Sequence, residues 1–161
     1  MKRLCIRCLR RFLPRILPRS TRPAAQYPEI MRKNKRPHAC LVIETRLYSI
    51  CVPFRSRITH NNAFLFTHTA RAGRTRSGLD YGKLVLIEDE TYIDTASPAI
   101  VDQDEYAAMR NNLDRIVREV VACIEAYVLH VQGTAVLPPR EYARRYRYST
   151  LPYFHPILRL P

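Results

Sequence analysis

Past residue 37 the chain changes from apolar residues scattered among arginines to short apolar runs divided by polar turns. His38–Glu44 (HACLVIE) is apolar without alternation, which predicts a strand buried on both faces. Thr45-Arg46 predicts a tight turn into Leu47–Phe54, so these two runs pair as a hairpin. The second run is β-branched and aromatic, and Pro53 removes a ladder donor near its end, so the chain is expected to leave the sheet there. Ala63–His68, Lys83–Ile87 and Thr91–Thr95 predict three further strands. The loop Arg71–Asp80, with two glycines and three arginines, and the acidic turn Glu88-Asp89-Glu90 divide them.

The period then lengthens. Ile116, Val117, Val120, Val121, Ile124, Tyr127, Val128 and Val131 recur at three- and four-residue steps, the signature of an amphipathic helix, which Gly133 ends. Asp102 with Glu105 three places on predicts a capping box at its start. Pro138-Pro139 opens a shorter helix, Arg140–Arg147, and Leu151–Leu158 predicts an apolar tail pinned across the core. Pro28–Lys35 predicts a short helix before the first strand. Short, closely spaced strands with little helix between them predict an α+β fold. The expected architecture is a small, strongly curved antiparallel β-barrel with one long and one or two short packed helices. Residues 27–161 form that domain, and residues 1–26 a poorly ordered basic N-terminal extension, since Pro14, Pro18 and Pro23 forbid a continuous helix.

Charge narrows the partners. The formal net charge is +13, and residues 1–37 hold 12 of the 27 Lys and Arg against a single acid, Glu29. The middle is balanced, residues 102–136 are acidic, and the last 25 residues turn basic again. Such a distribution implies an anionic partner, whether nucleic acid, an anionic membrane face or an acidic protein. No run approaches the roughly 20 apolar residues of a membrane span. Arginines at 7, 10 and 11 interrupt the apolar core that a secretory signal needs. The leading segment also has the look of a transit peptide or membrane-surface segment, but its preferred role is sequence-independent attraction to phosphate. The five cysteines are odd in number and follow no disulfide framework, which suits a reducing cytoplasm. Cys5-x-x-Cys8 is half of a zinc pattern without a second pair, so no metal is expected.

The chemistry concentrates in Cys51-Val-Pro-Phe-Arg-Ser-Arg-Ile-Thr-His60, where an apolar strand stops and a hydroxyl, two guanidiniums and an imidazole follow. There is no Gly-rich phosphate loop and no H-x-x-x-H pair, and the carboxylates cluster away from this basic stretch. What these residues permit is metal-free attack of an RNA 2′-hydroxyl on its own phosphate. Arg55 grips phosphate, Ser56 donates to it, His60 exchanges the proton near neutral pH, and Lys83 adds a second charge. RNA contacts are expected from Lys35, Arg36, Arg57, Arg74, Arg76, Tyr81, Arg144, Arg145 and Arg147. A non-catalytic, ribosome-associated RNA-binding protein using the same charge is the alternative.

Several motifs occur in fixed order: Lys35-Arg36-Pro37, Ile43-Glu44, Pro53-Phe54-Arg55-Ser56-x-Ile58-x-His60, Gly78-Leu79-Asp80-Tyr81-x-Lys83, Leu86-Ile87-Glu88-Asp89-x-x-Tyr92-Ile93 and Tyr148-Ser149-Thr150-Leu151-x-x-Phe154-His155. Over about residues 27–158 this succession resembles the toxins of type III toxin–antitoxin systems, in the TenpN-like branch related to ToxN and AbiQ. The resemblance implies an SH3-type, PemK/MazF-like barrel and a metal-independent, cofactor-free endoribonuclease. Its implied products are a 2′,3′-cyclic phosphate and a 5′-hydroxyl. It also implies an RNA antitoxin, a repeated pseudoknot trimmed from a precursor and bound in a cyclic assembly, and cellular mRNA as target during abortive infection in phage defence. Ser56 matches the hydroxyl residue of the family's strand-exit loop. Arg55 and Arg57 stand where ToxN has Thr and Lys types, while His60 and Lys83 fit the TenpN-like pattern.

Overall fold

A computed structural model describes residues 4–9, 38–94 and 100–161, with backbone alone at 4–9, 38 and 94. The fold is α+β. Among the described residues seven strands, β1 (Leu4–Leu9), β2 (His38–Glu44), β3 (Ser49–Arg55), β4 (Ala63–Leu65), β5 (Gly78–Asp80), β6 (Val85–Ile87) and β7 (Ile93–Asp94), precede four α-helices, α1 (Gln103–Asn111), α2 (Leu113–Val131), α3 (Pro139–Tyr146) and α4 (His155–Leu158).

The β2–β3 hairpin is the centre, antiparallel with Val42 opposite Cys51. Cys40, Leu41, Val42 and Ile43 are all buried, as an apolar run without alternation requires. The connection is longer than Thr45-Arg46. The Thr45 hydroxyl accepts from the amides of Leu47 and Tyr48, at 3.3 and 3.2 Å, so β3 begins only at Ser49.

Pro53 does not end the strand. It stays buried opposite Cys40, and β3 runs two residues further, to Arg55. On the other edge of β3, Ser49–Cys51 pair with β6 and Phe54–Arg55 pair with β5. Having no N–H, the proline occupies the gap where that edge changes partner. A Cβ at Gly78 would lie 2.1 Å from the Phe64 carbonyl oxygen, which is how closely β5 and β4 approach.

The order β4-β5-β3-β2-β1-β7, with β6 also on β3, is an open antiparallel sheet rather than the closed barrel the short strands predicted. Among the described residues β4 and β7 end the path without meeting. Leu4–Leu9, expected within a tail outside the fold, pairs along six positions with β2. The remainder of that extension and the expected helix Pro28–Lys35 lie outside the described residues.

Ile116, Val120, Cys123, Ile124 and Tyr127 form the buried stripe of α2, and with the sheet they make one core. The expected continuous helix is broken at Asn112, and the capping box does not form. Asp102 instead accepts from Arg71 Nη2 at 2.6 Å, and Glu105, buried beneath α1, accepts from the Ser77 hydroxyl at 2.7 Å. Tertiary partners outcompete local capping here. Leu151 and Phe154, on a single 3₁₀ turn before α4, are fully buried, so the C-terminal segment does cross the core. Among the described residues no helix is long and apolar enough to cross a membrane.

Candidate functional site

The loop that leaves β3 after Arg55 is held at three points. Ile58 is buried, and its amide donates to the Arg76 carbonyl at 2.9 Å. Asn61 accepts from Arg76 Nη2 at 2.9 Å. The Asn62 carbonyl accepts from the Tyr81 amide at 3.1 Å, while its side-chain amide donates to the Arg145 carbonyl at 3.1 Å. Ser56 and Arg57 are thereby presented outward, exposed on a fixed scaffold. Arg57 has a φ of 58°, the left-handed region that non-glycine residues seldom occupy.

Where the carboxylates were expected to stay away from this basic stretch, the fold corrects that reading. Asp80, at the end of β5, is wholly buried and pairs with the Arg55 guanidinium through Oδ2. Its Oδ1 accepts from the Gly82 amide at 2.8 Å and lies 3.4 Å from His60 Nε2. A buried carboxylate is costly unless charged and polar donors surround it, and Arg55 and the Gly82 amide supply them, with the His60 imidazole alongside. His60 Nδ1 is shielded from solvent and has no hydrogen-bond partner among the described residues.

Lys83 sits not at a strand start but on the 3₁₀ turn Tyr81–Lys83 that follows Asp80. Its Nζ donates to the Tyr148 carbonyl at 2.7 Å, and the Thr150 amide donates to the Gly82 carbonyl at 3.1 Å. The segment after α3 is therefore stitched to the turn that carries the Asp80 cluster. Arg55 and His60 meet through Asp80, and Lys83 stands one residue beyond Gly82. Ser56 belongs to the same loop but makes no hydrogen bond among the described residues.

Of the expected RNA-contacting residues, Tyr81 departs most from its role. It is buried, and its hydroxyl donates to Glu119 at 2.8 Å. Burial first, then the Glu119 carboxylate, push the phenol well above its ordinary pKa, and the ring is closed to a stacking base. Arg74, Arg76 and Arg144 are exposed. Arg145 pairs with Glu141 at 3.5 Å, and the Arg147 guanidinium lies 5.2 Å from the ring centre of Tyr148, itself 63% exposed. Lys35 and Arg36 lie outside the described residues. Sequence reasoning missed Asp80, although a signal was present: it is the single acid between residues 45 and 87, a span that carries seven Lys and Arg.

No protein-family model, curated protein or solved structure matches this chain.

Proposed function

We propose that this chain is a metal-independent endoribonuclease toxin of a type III toxin–antitoxin system. The observation that carries the reading is the convergence of Arg55 and His60 on Asp80, with Ser56 and Arg57 exposed on the same strand exit and Lys83 on the adjoining turn. The ordered motifs resembling the TenpN-like toxins supply the second support. In the reaction a base removes the ribose 2′-hydroxyl proton, the 2′-oxygen bonds to the adjacent phosphorus, and the P–O5′ bond breaks. The leaving 5′-oxygen takes a proton from an acid, giving a 2′,3′-cyclic phosphate and a 5′-hydroxyl. His60 exchanges protons, while Ser56, Arg57 and Lys83 offer donors to the phosphate as its charge grows. Arg55 shares its guanidinium between Asp80 and substrate. The substrates are cellular mRNA and the antitoxin precursor, the inhibitor is a repeated pseudoknot RNA held in a cyclic assembly, and the setting is cytoplasmic phage defence.

Incubating the purified protein with total RNA in excess chelator, then mapping the ends, tests this. Discrete fragments with 2′,3′-cyclic phosphate ends are expected, and the Ser56→Ala, His60→Ala double variant is expected to fold and to cut nothing. Binding without fragments from the parent protein would instead favour a non-catalytic RNA-binding module, a reading consistent with the exposed Arg57, Arg74 and Arg144.

A further inference from the structure

We infer that Tyr148 is a base-stacking platform, which holds one unpaired base of a single-stranded RNA beside the Asp80 cluster. The inference deepens the proposed reading by naming a subsite for that RNA, and it rests on it. Tyr148 is 63% exposed, whereas Tyr146, Ser149 and Thr150 around it are exposed by 3% or less. Large side chains scattered singly over a surface are ordinary. What sets this one apart is how firmly its backbone is held, and where.

Both flanks are anchored. Before it, the Tyr146 hydroxyl donates to the Cys123 carbonyl at 2.7 Å, and the Ser149 amide closes the turn on the Tyr146 carbonyl at 2.9 Å. After it, the Thr150 amide donates to the Gly82 carbonyl at 3.1 Å and the Thr150 hydroxyl to the Leu84 carbonyl. The Tyr148 carbonyl itself accepts from Lys83 Nζ at 2.7 Å. Between Tyr146 and Ser149 the turn thus fixes the backbone and leaves the side chains of Arg147 and Tyr148 in solvent. A ring mounted in this way gives up little freedom when a ligand meets it.

Position and charge select the occupant. Gly82, whose carbonyl holds Thr150, also packs against the imidazole, since a Cβ there would stand 3.5 Å from His60 Cε1. Tyr148 precedes Thr150 by two residues, at most about 7 Å of chain, so a base on its ring belongs to a nucleotide near the phosphate cut in the proposed reaction. The Arg147 guanidinium lies over the ring, 5.2 Å from its centre, and the Lys83 ammonium adjoins the Tyr148 carbonyl. Both cations are within reach of that nucleotide's phosphates. An exposed ring flanked by cations suits unpaired RNA, the ring taking the face of a base and the cations the backbone. By contrast Tyr106, 43% exposed, follows Asp102, Asp104 and Glu105 at the start of α1, where carboxylates repel phosphate.

A short single-stranded RNA with methylated 2′-hydroxyls, which can be held but not cut, tests the platform apart from cleavage. Tyr148→Ala is expected to weaken its binding by roughly 5- to 150-fold, the range of one stacked base, and to raise KM for unmodified RNA. Tyr148→Phe keeps the ring and is expected to bind as wild type does, as is Tyr106→Ala. The chain has no tryptophan, so Tyr148→Trp places a single fluorophore at the site. Its emission is expected to be quenched by the methylated RNA and not by a base-free strand of equal charge. Tyr148→Ala protein that binds as tightly as wild type overturns the platform. So does Tyr148→Phe protein as weak as Tyr148→Ala, or quenching that the base-free strand reproduces. Wild type that holds the methylated RNA, with the expected quenching, but leaves unmodified RNA intact overturns the ribonuclease reading and leaves the platform standing. Wild type that binds no RNA overturns both.

Discussion

Arg57 holds a backbone conformation that suits glycine better than arginine, on a loop anchored on both sides of the exposed Ser56. Left-handed backbone costs an L-residue about 1–2 kcal/mol, part of which glycine would return as unfolded-chain entropy. Arg57→Gly is therefore expected to stabilise the fold by up to about 1 kcal/mol, a melting rise of about 2–4 °C for a chain of this size, while RNA cleavage drops. A thermal melt and a cleavage assay on the same preparation check both halves, and a variant that is both less stable and fully active would refute the strain argument. Strain kept at an exposed position fits a residue retained for what it touches rather than for folding. At this scale the exit-loop residues were legible because they adjoin one another. Asp80 was not, because it follows Arg55 by 25 positions and His60 by 20, and no local pattern ties an aspartate to a histidine at that distance.

Helix starts illustrate how an element is decided from outside itself. Asp102-x-x-Glu105 has the composition of a capping box, yet both carboxylates serve Arg71 and Ser77. This arrangement ties α1 to the stretch leading into β5, and through β5 to Asp80. Ser77→Ala strands the Glu105 carboxylate at 2% exposure, with the Arg71 guanidinium at 3.7 Å its remaining partner among the described residues. The expected loss is about 1–3 kcal/mol in urea unfolding with an unchanged m value, and a change under about 0.5 kcal/mol, the range of an ordinary surface substitution, would refute the account. The β2–β3 hairpin and α2 could be read from the chain because their apolar periods are long and unbroken. β5 could not, since three residues inside a Gly- and Arg-rich loop carry no period, and only pairing with β3 and β4 makes them a strand.

At the scale of the fold, the described residues pack helices on one open sheet, and their tyrosines report on that core. Tyr81, Tyr127 and Tyr146 are all nearly inaccessible, and burial is the leading cause that raises each phenol above its ordinary pKa near 10. Because the folded state holds these protons more tightly than the unfolded chain does, the contribution is complete below about pH 10 and is lost as pH rises beyond it. Base-induced unfolding above about pH 10 is expected, with tyrosine ionisation appearing together with loss of helix, and phenols that titrate while the far-ultraviolet signal stays native would contradict it. From the order of its residues alone the chain specified a central hairpin, one long amphipathic helix, a cationic composition and a strand exit rich in guanidinium, hydroxyl and imidazole groups, since each follows from neighbours within a few positions. Whether the sheet closed, where α1 ended, and which carboxylate met His60 depended on contacts between segments far apart in sequence, and only packing of the entire core brings such segments within bonding distance.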